Sequence, residues 1–256
     1  MEAPVRETTS GCQGCRNGEP LPFDFTMAFH PIIDLTRGVV WGYEALVRGT
    51  KGESAGAILS QVDEERQYKF DQACRVKAIE LAGRLFPATG DTKLSINFMP
   101  NAVYEPAACI RTSLETARRV GFDMKRIMFE FTENERMADT KHVARIIAEY
   151  RRLGFITAID DFGAGHAGLN LLANFQTDLI KIDMELIRGI ADSAARQAIV
   201  SGILVMARAL DITIIAEGIE TEAELAALKN AGIDLFQGFL FAHPAIETLP
   251  AVALRA

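Results

Sequence analysis

The chain has 256 residues, 49% of them hydrophobic, which is enough for the single large core of an α/β barrel of roughly 250 residues. It has no apolar run near the roughly 20 residues of a membrane span and no basic start followed by an apolar centre, as a signal peptide has, so we expect a cytoplasmic protein with no membrane contact. The formal net charge of −7 disfavours a sequence-independent grip on DNA or RNA, and we expect no nucleic acid polymer as partner.

The first predicted element is a flexible leader over residues 1–22, which are rich in Gly, Pro, Thr and Glu. It contains Cys12 and Cys15, and one C-x-x-C pair can be half of a zinc site or a redox pair. Because no second pair or suitable His cluster follows nearby, a loose leader or a local disulfide is the simpler interpretation. Cys74 and Cys109 lie in helix-like segments and are expected to be small buried residues. Residues 23–256 are expected to form one domain.

After the leader, the hydrophobic pattern predicts two strands over 25–33 and 38–47, joined by a turn at Thr36–Gly38. Short apolar runs then alternate with amphipathic stretches. These predict strands at 93–99, 126–131, 155–160, 177–183, 212–219 and 233–239, and helices at 67–86, 107–121, 141–154, 194–210 and 222–232.

Repeated strand–helix units imply parallel strands with right-handed crossovers. We expect an α/β protein and favour a closed TIM (β/α)8 barrel. An open doubly wound sheet is the alternative, although its Gly-x-Gly-x-x-Gly signature after the first strand is absent.

A carboxylate, an amide or a lysine lies at or near the C-terminal end of strand after strand. In a barrel these ends converge on one face, where active sites lie. Each acidic residue alone could be a helix N-cap, and Asp161 could simply cap a turn. The residues are Glu44, Asn97, Glu130, Glu133, Asp160, Asp161, Lys181, Asp183, Glu217, Glu220 and Gln237.

So many carboxylates in one mouth would repel one another unless cations bind there. A donor set of oxygens without Cys or His favours Mg²⁺ or Mn²⁺ over zinc. The adjacent Asp160 and Asp161 suit a two-metal centre, with one carboxylate bridging and its neighbour holding the second ion; such centres serve in-line displacement at phosphorus. Lys181 is expected to stay protonated beside the nucleophile or a phosphate oxygen, and Arg48 offers a planar fork for phosphate.

In this order, the motifs FHPIID, YEALVRG, LSINFMP, FEFTENE, IDDFGAGHAGL, LIKIDMELI, IIAEGIET and FQGFLFAHP run through residues 25–247. The chain thereby resembles the EAL-domain cyclic di-GMP phosphodiesterases. The resemblance implies a modified TIM barrel whose first strand is antiparallel. It also implies hydrolysis of cyclic di-GMP to linear pGpG with two Mg²⁺ or Mn²⁺ ions per site, inhibition by Ca²⁺, and a homodimer.

The resemblance also assigns roles by position. It implies a first metal held by Glu44, Asn97, Glu130 and Asp160, and a second held by Asp160, Asp161 and Glu217. Lys181 resembles the lysine that contacts the catalytic water, and Gln237 the glutamine near the metal and water network, with Glu217 also counted as catalytic. The expected substrate contacts are Arg48, His30, Leu46 and Asp183. Glu133 resembles the anchor of the loop after Asp161, and Glu220, like Asp183, a supporting group.

The chain departs from the family pattern at His30, where many members have Gln, at Gly49, where Trp is common, and in the wording of the first helix region. These departures concern base contacts rather than metal chemistry. Two alternatives to an active cyclic di-GMP phosphodiesterase stay open. One is a catalytically silent cyclic di-GMP receptor or scaffold, which usually lacks metal ligands or the lysine; the other is a different metal phosphohydrolase on a barrel.

Overall fold

The first two strands form an antiparallel hairpin, as the sequence predicts. In the computed structural model, which describes residues 20–103, 105–132, 140–165 and 168–252, β1 (Thr26–Asp34) pairs with β2 (Val39–Arg48). The connecting turn includes Gly38 at φ +64°, a left-handed conformation that glycine adopts without steric cost. Every residue of β1 is buried, so this strand belongs to the interior and not to an exposed edge.

The remaining strands close a barrel. From β2 onward, each strand pairs in parallel with the next, and the last of this series, β8 (Leu235–Gln237), returns to pair antiparallel with β1. The modified TIM barrel with an antiparallel first strand is therefore confirmed, and the open doubly wound sheet is wrong. The strands after β2 are β3 (Lys93–Asn97), β4 (Ile127–Thr132), β5 (Ile156–Phe162), β6 (Leu179–Ile182), β7 (Thr213–Ala216) and β8 (Leu235–Gln237). A short β9 (Ala245–Ile246), which the sequence did not predict, pairs with β1.

Helices follow the strands and cover the outside of the barrel. Several begin or end at the residue types that caps require. Asp63 accepts a hydrogen bond at the start of α2 (Glu64–Leu85), and Thr221 and Glu224 form a capping box on α9 (Glu222–Ala231). Gly121 ends α4 (Arg111–Val120) in the left-handed region. The helices are α1 (Ala55–Leu59), α2 (Glu64–Leu85), α3 (Pro106–Cys109), α4 (Arg111–Val120), α5 (Thr140–Arg152), α6 (Gly168–Asn174), α7 (Met184–Ile187), α8 (Ala194–Ala209) and α9 (Glu222–Ala231).

The predicted helix over 107–121 is two helices, because the chain is interrupted at Ile110 between α3 and α4. Helix α6, within the glycine-rich segment after β5, and the short α7 were not predicted. Within the ranges that the structure describes, no helix is both long and apolar enough to cross a membrane.

Two apolar clusters hold the barrel together. A large one lies between the strands and the surrounding helices. A small one draws one side chain from each of six strands and fills the barrel interior; it consists of Ile32, Met128, Ala158, Leu179, Ile215 and Leu235. This apolar layer forms the floor beneath the polar residues at the mouth.

Candidate metal centre

The polar residues of the mouth form the next layer above this apolar floor. Side chains alternate along a strand with a period of two, so a step of two residues stays on the same face. In five strands that step leads from the floor to Glu130, Asp160, Lys181, Glu217 and Gln237. Because β1 runs in the opposite direction, the same step leads from Ile32 back to His30.

Lys181 lies at the centre of this layer and is fully buried. Its Nζ is 2.7 Å from Glu217 Oε1, 3.0 Å from Asp160 Oδ1, 3.1 Å from Glu130 Oε2 and 3.6 Å from Glu44 Oε2. One ammonium group therefore faces four carboxylates. Three of them lie in the strands β2, β4 and β5, and the fourth directly follows β7.

The carboxylates and the lysine shift one another's protonation. Burial lowers the pKa of Lys181, but the four carboxylates outweigh it and the pKa lies well above its usual value. Burial raises the pKa of Glu44, yet Lys181 and hydrogen bonding reverse this and lower it to about 2. Burial and neighbouring carboxylates raise the pKa of Glu130 and of Glu217 well above the usual range. Full ionisation of the cluster thus needs more positive charge than Lys181 supplies.

Among the residues that the structure describes, two sets of carboxylates have the spacing of metal ligands. Glu44, Glu130 and Asp160 each offer an oxygen within 4.8 Å of the others, and so do Asp160, Asp161 and Glu217. Asp160 is common to both sets, as a carboxylate shared by two ions would be. The donors are oxygens, which suits Mg²⁺ or Mn²⁺. The residues present therefore fit hard divalent cations.

Asn97 lies beside the first set but presents its nitrogen. Nδ2 donates to Glu44 Oε1 at 2.9 Å and to Glu130 Oε1 at 3.0 Å. An amide nitrogen is a donor and cannot ligate a cation, so the expected ligand role of Asn97 requires its amide to be turned to present Oδ1. Asn97 therefore lies beside the carboxylates of the first set, as expected. In the orientation that the structure shows, its amide donates hydrogen bonds to those carboxylates and does not present an oxygen to a metal ion.

The adjacent aspartates can both face the site because β5 is irregular there. The pairing of β5 with β6 shifts register between Ile159 and Phe162, and Asp161 has a left-handed φ of +53°. In a regular strand, neighbouring side chains point to opposite faces, whereas a bulge re-aims one of them. Thr132 Oγ1 donates to Asp161 Oδ2 at 3.0 Å and holds it in this conformation.

Two cavities open beside the carboxylates. The first, here called the mouth cavity, has a volume of about 280 Å³. It is lined by Glu217, by Gln237 and by the four residues expected to contact substrate, which are His30, Leu46, Arg48 and Asp183. The second, the wall cavity, has a volume of about 390 Å³; it reaches Glu44, Asn97 and Asp160 but is lined largely by apolar side chains such as Phe70 and Phe98. The four residues expected to contact substrate are therefore together at one opening.

Two of the supporting residues, Asp183 and Glu220, have different surroundings. Asp183 caps α7, its carboxylate accepting from the Glu185 amide at 2.8 Å. Glu220 forms a paired contact with Arg188 at the rim of the mouth cavity. Glu133, the expected loop anchor, lies outside the described residues, and so do Cys12 and Cys15.

Two hydroxyl groups that the sequence pattern did not indicate also contact the carboxylates. Ser95 Oγ donates to Glu130 Oε2, and Thr132 orients Asp161. Neither has the charge that made the acidic residues conspicuous. Ser95 could have been found by the period of two, because it lies two residues before Asn97 on the same face of β3.

Comparisons with known proteins agree with this geometry. The family model described as "EAL domain" matches residues 22–244. A standalone versatile EAL protein from Vibrio cholerae O395, solved in a c-di-GMP-bound form, is 54% identical; the match covers 91% of this chain and 98% of that one, with a TM-score of 0.88. BlrP1 of Klebsiella pneumoniae, solved with manganese and cyclic di-GMP at pH 9.0, is 35% identical with a TM-score of 0.82, over 90% of this chain and 57% of that one.

Two curated relatives are from Escherichia coli K12. The blue light- and temperature-regulated antirepressor BluF is 34% identical over 88% of this chain and 56% of its own length. The cyclic di-GMP phosphodiesterase PdeR is 36% identical over 55% of this chain and 21% of its own length. The chain thus spans little more than half, or less, of these curated relatives. With the family model matched over most of its length and the barrel in place, the chain belongs to the EAL domain family.

Proposed function

We propose that this chain hydrolyses cyclic di-GMP to linear pGpG with two divalent ions, Mg²⁺ or Mn²⁺, at the barrel mouth. The observation that carries the proposal is the arrangement around Asp160: two ligand sets share this carboxylate, and Lys181 lies 3.0 Å from it. The printed names of relatives support the substrate, because PdeR is called a cyclic di-GMP phosphodiesterase and the V. cholerae structure is a c-di-GMP complex.

The proposed ligands are Glu44, Asn97, Glu130 and Asp160 for one ion and Asp160, Asp161 and Glu217 for the other. Bound divalent ions lower the pKa of water and stabilise negative charge on phosphoryl oxygens. The donor set fits such ions, and the raised pKa values of Glu130 and Glu217 mean that protons leave as cations bind.

Two basic side chains, Lys181 and Arg48, donate hydrogen bonds to the reacting groups in the proposed reaction. Lys181 stays protonated and donates from Nζ to the attacking water or to a phosphate oxygen, which fixes the direction of attack. Arg48 at the mouth cavity offers a planar pair of N–H donors to a phosphate. Water adds to one phosphorus, the bond from that phosphorus to O3′ breaks, and the product keeps a 5′-phosphate and gains a 3′-hydroxyl.

A receptor function is the second candidate, because BluF is named an antirepressor. The retained ligand sets and Lys181 favour turnover over this reading. The test is a substrate panel of cyclic di-GMP, pGpG and a generic phosphodiester, each incubated with purified protein and Mn²⁺ and separated by chromatography. Conversion of cyclic di-GMP alone supports the proposal. Binding without product indicates the receptor, and equal conversion of all three indicates a general phosphohydrolase.

Inhibition by Ca²⁺ and a homodimer stay predictions. Ca²⁺ is larger and takes more ligands in a looser geometry, so it should occupy the carboxylates without supporting turnover. Adding Ca²⁺ against fixed Mn²⁺ and measuring pGpG formation tests the first prediction, and sedimentation equilibrium of the purified chain tests the second.

A further inference from the structure

Both ring nitrogens of His30 are engaged by neighbouring groups. The residue is 8% exposed; its Nε2 is 3.2 Å from Ala242 O, and its Nδ1 is 2.8 Å from Gln237 Nε2. A carbonyl oxygen can only accept, so Nε2 carries the proton and a neutral ring has a bare Nδ1. The Glu44 carboxylate only accepts, so Gln237 presents its donor Nε2 both to Glu44 and to Nδ1 of His30; Nδ1 therefore accepts and the ring is neutral.

Matching donors to acceptors also determines which way the side-chain amide of Gln237 is turned. Its Nε2 is 2.7 Å from Glu44 Oε2 and 2.8 Å from His30 Nδ1, which gives two acceptors for the two amide hydrogens. A reversed amide would set Oε1 against a carboxylate oxygen and a bare ring nitrogen, with no hydrogen between them. His30 and Glu44 together therefore hold the nitrogen toward Glu44.

The carbonyl oxygen of Gln237 has no hydrogen-bond donor among the described residues. Gln237 is 2% exposed, and its Oε1 accepts no hydrogen bond from any residue that the structure describes. A buried acceptor without a donor is costly, and such atoms concentrate where a ligand or water supplies the donor. Gln237 lines the mouth cavity, where the expected substrate contacts also lie.

We propose that His30 is a positioning residue: it holds the Gln237 amide so that Nε2 orients the Glu44 carboxylate and Oε1 faces the mouth cavity as an acceptor for the attacking water. This role differs from the base contact that its position implies by resemblance. The expected effect of His30 on turnover rests on the proposed function. The chain of hydrogen bonds from Ala242 through His30 and Gln237 to Glu44 does not, and it can be tested without substrate.

The kinetic test compares two substitutions of His30 with cyclic di-GMP and Mn²⁺. His30→Phe keeps a ring but removes both nitrogens, and His30→Asn keeps an acceptor near the position of Nδ1. We expect His30→Phe to lower kcat by about 10- to 100-fold with little change in KM, as for other residues that orient metal ligands, and His30→Asn to recover part of the loss.

A double-mutant cycle separates positioning from base contact. If His30 acts through Gln237, His30→Phe should add little to the loss already caused by Gln237→Met. A raised KM with unchanged kcat, or full additivity with Gln237→Met, would overturn the proposal. His142→Asn, a histidine on α5 outside both cavities, is the matched control and should keep the wild-type kcat.

The tautomer of His30 provides a readout that needs no substrate. Long-range ¹H–¹⁵N correlation spectra of histidine-labelled protein, assigned with His30→Phe, should show a neutral ring protonated at Nε2, and Gln237→Met should shift the Nδ1 signal. A ring protonated at Nδ1, or an Nδ1 signal that Gln237→Met leaves unmoved, refutes the positioning role. Lack of cyclic di-GMP hydrolysis by the wild-type protein counts instead against the proposed function.

Discussion

At the scale of single residues, the site is organised by charge. Lys181 is buried among four carboxylates within 3.6 Å, so its ammonium group offsets repulsion that would otherwise oppose folding. An uncompensated buried charge is far more costly than a paired one. Lys181 thus stabilises the folded state by compensating buried negative charge and, in the proposed reaction, donates a hydrogen bond to the attacking water.

Replacing Lys181 distinguishes these two roles. Lys181→Ala should lower turnover of cyclic di-GMP by about 100-fold or more, because a positioned hydrogen-bond donor to the attacking water or a phosphate oxygen is lost. The affinity for Mn²⁺ should not fall, because the four carboxylates then lack their cation and attract metal ions more strongly. Kinetics and calorimetric metal titration measure the two effects.

Lys229→Ala, at an exposed position of α9, is the control and should behave as wild type. A loss of metal affinity in Lys181→Ala equal to its loss of turnover would mean that the lysine is mainly structural.

Glu44 tests the ligand assignment directly. Glu44→Ala removes one carboxylate of the first ligand set, together with the acceptor for Asn97 and Gln237. We expect pGpG formation to fall below detection while the circular dichroism spectrum keeps its wild-type shape. Activity near that of the wild type in this variant would contradict a metal at this position.

The sequence located these residues but not their hydrogen bonds. Acidic residues after apolar runs are visible in a sequence because charge contrasts with the core pattern. The choice of partner at Asn97, whose nitrogen rather than oxygen faces Glu44, depends on which groups meet across the barrel. No local pattern encodes that contact, and the same is true of the chain from Ala242 through His30 to Gln237.

At the scale of elements, the loops after β7 and β8 touch so closely that only glycine fits. A Cβ on Gly238 would lie 2.2 Å from Ile219 O and 2.3 Å from Ile219 N, and these backbone atoms cannot move aside like a side chain. Glu217 is the first residue of the loop after β7, and Gln237 is the last residue of β8, directly before the second loop. The close approach of the two loops therefore sets the spacing of two functional side chains.

We expect Gly238→Ala to lower both the melting temperature and the turnover of cyclic di-GMP. The matched control is Gly202→Ala in α8, where a Cβ meets nothing within 4 Å and alanine should stabilise the helix by about 0.5–1 kcal/mol. Thermal unfolding and kinetics of the two variants measure the contrast. Equal behaviour of both would show that the loops adjust without consequence.

A buried arginine, paired with an aspartate of its own helix, links α2 to α5 behind the strands. Arg75 of α2 pairs with Asp71 and donates from Nη1 to the Tyr150 hydroxyl of α5 at 2.8 Å, with its guanidinium 5.5 Å from the Phe129 ring centroid. Burial raises the pKa of Tyr150 to about 12. This group stabilises the junction of two helices with β4.

Tyr150→Phe should lower the free energy of unfolding by about 1–3 kcal/mol near neutral pH, because Arg75 loses an acceptor. The folded pKa of Tyr150 is about 12, above the unfolded value of about 10, so its contribution is full below pH 10 and is lost as pH rises to 12. The difference between wild type and variant in urea unfolding should shrink over that range. A difference that stays constant from pH 8 to pH 12 would refute the assignment.

Most elements could be predicted from periodicity, and the exceptions have physical causes. The strands end earlier than predicted where Gly218, at φ +65°, and Gly238 turn the chain into loops. Helix α6 was missed because its glycine-rich surroundings are typical of a loop. The short β9 was missed because two residues carry no periodic signal.

At the scale of the whole molecule, the barrel stacks a polar layer on an apolar floor. Alternating strand–helix units made a barrel the favoured fold, but the closure of β8 onto the antiparallel β1 is a contact between chain ends that periodicity cannot reveal. The resemblance to a family supplied that feature. Closure sets Gln237 opposite Ile32 and brings it against His30 and Glu44, so the topology completes the site.

We propose that this mouth hydrolyses cyclic di-GMP only when divalent cations occupy its carboxylates. The most direct measurement follows pGpG by chromatography as Mn²⁺ is titrated into protein stripped with EDTA. We predict no product without metal, and product that rises with Mn²⁺ until the sites are saturated. Product formation at the same rate in EDTA, or tight binding of intact cyclic di-GMP with no product at saturating Mn²⁺, would contradict the claim.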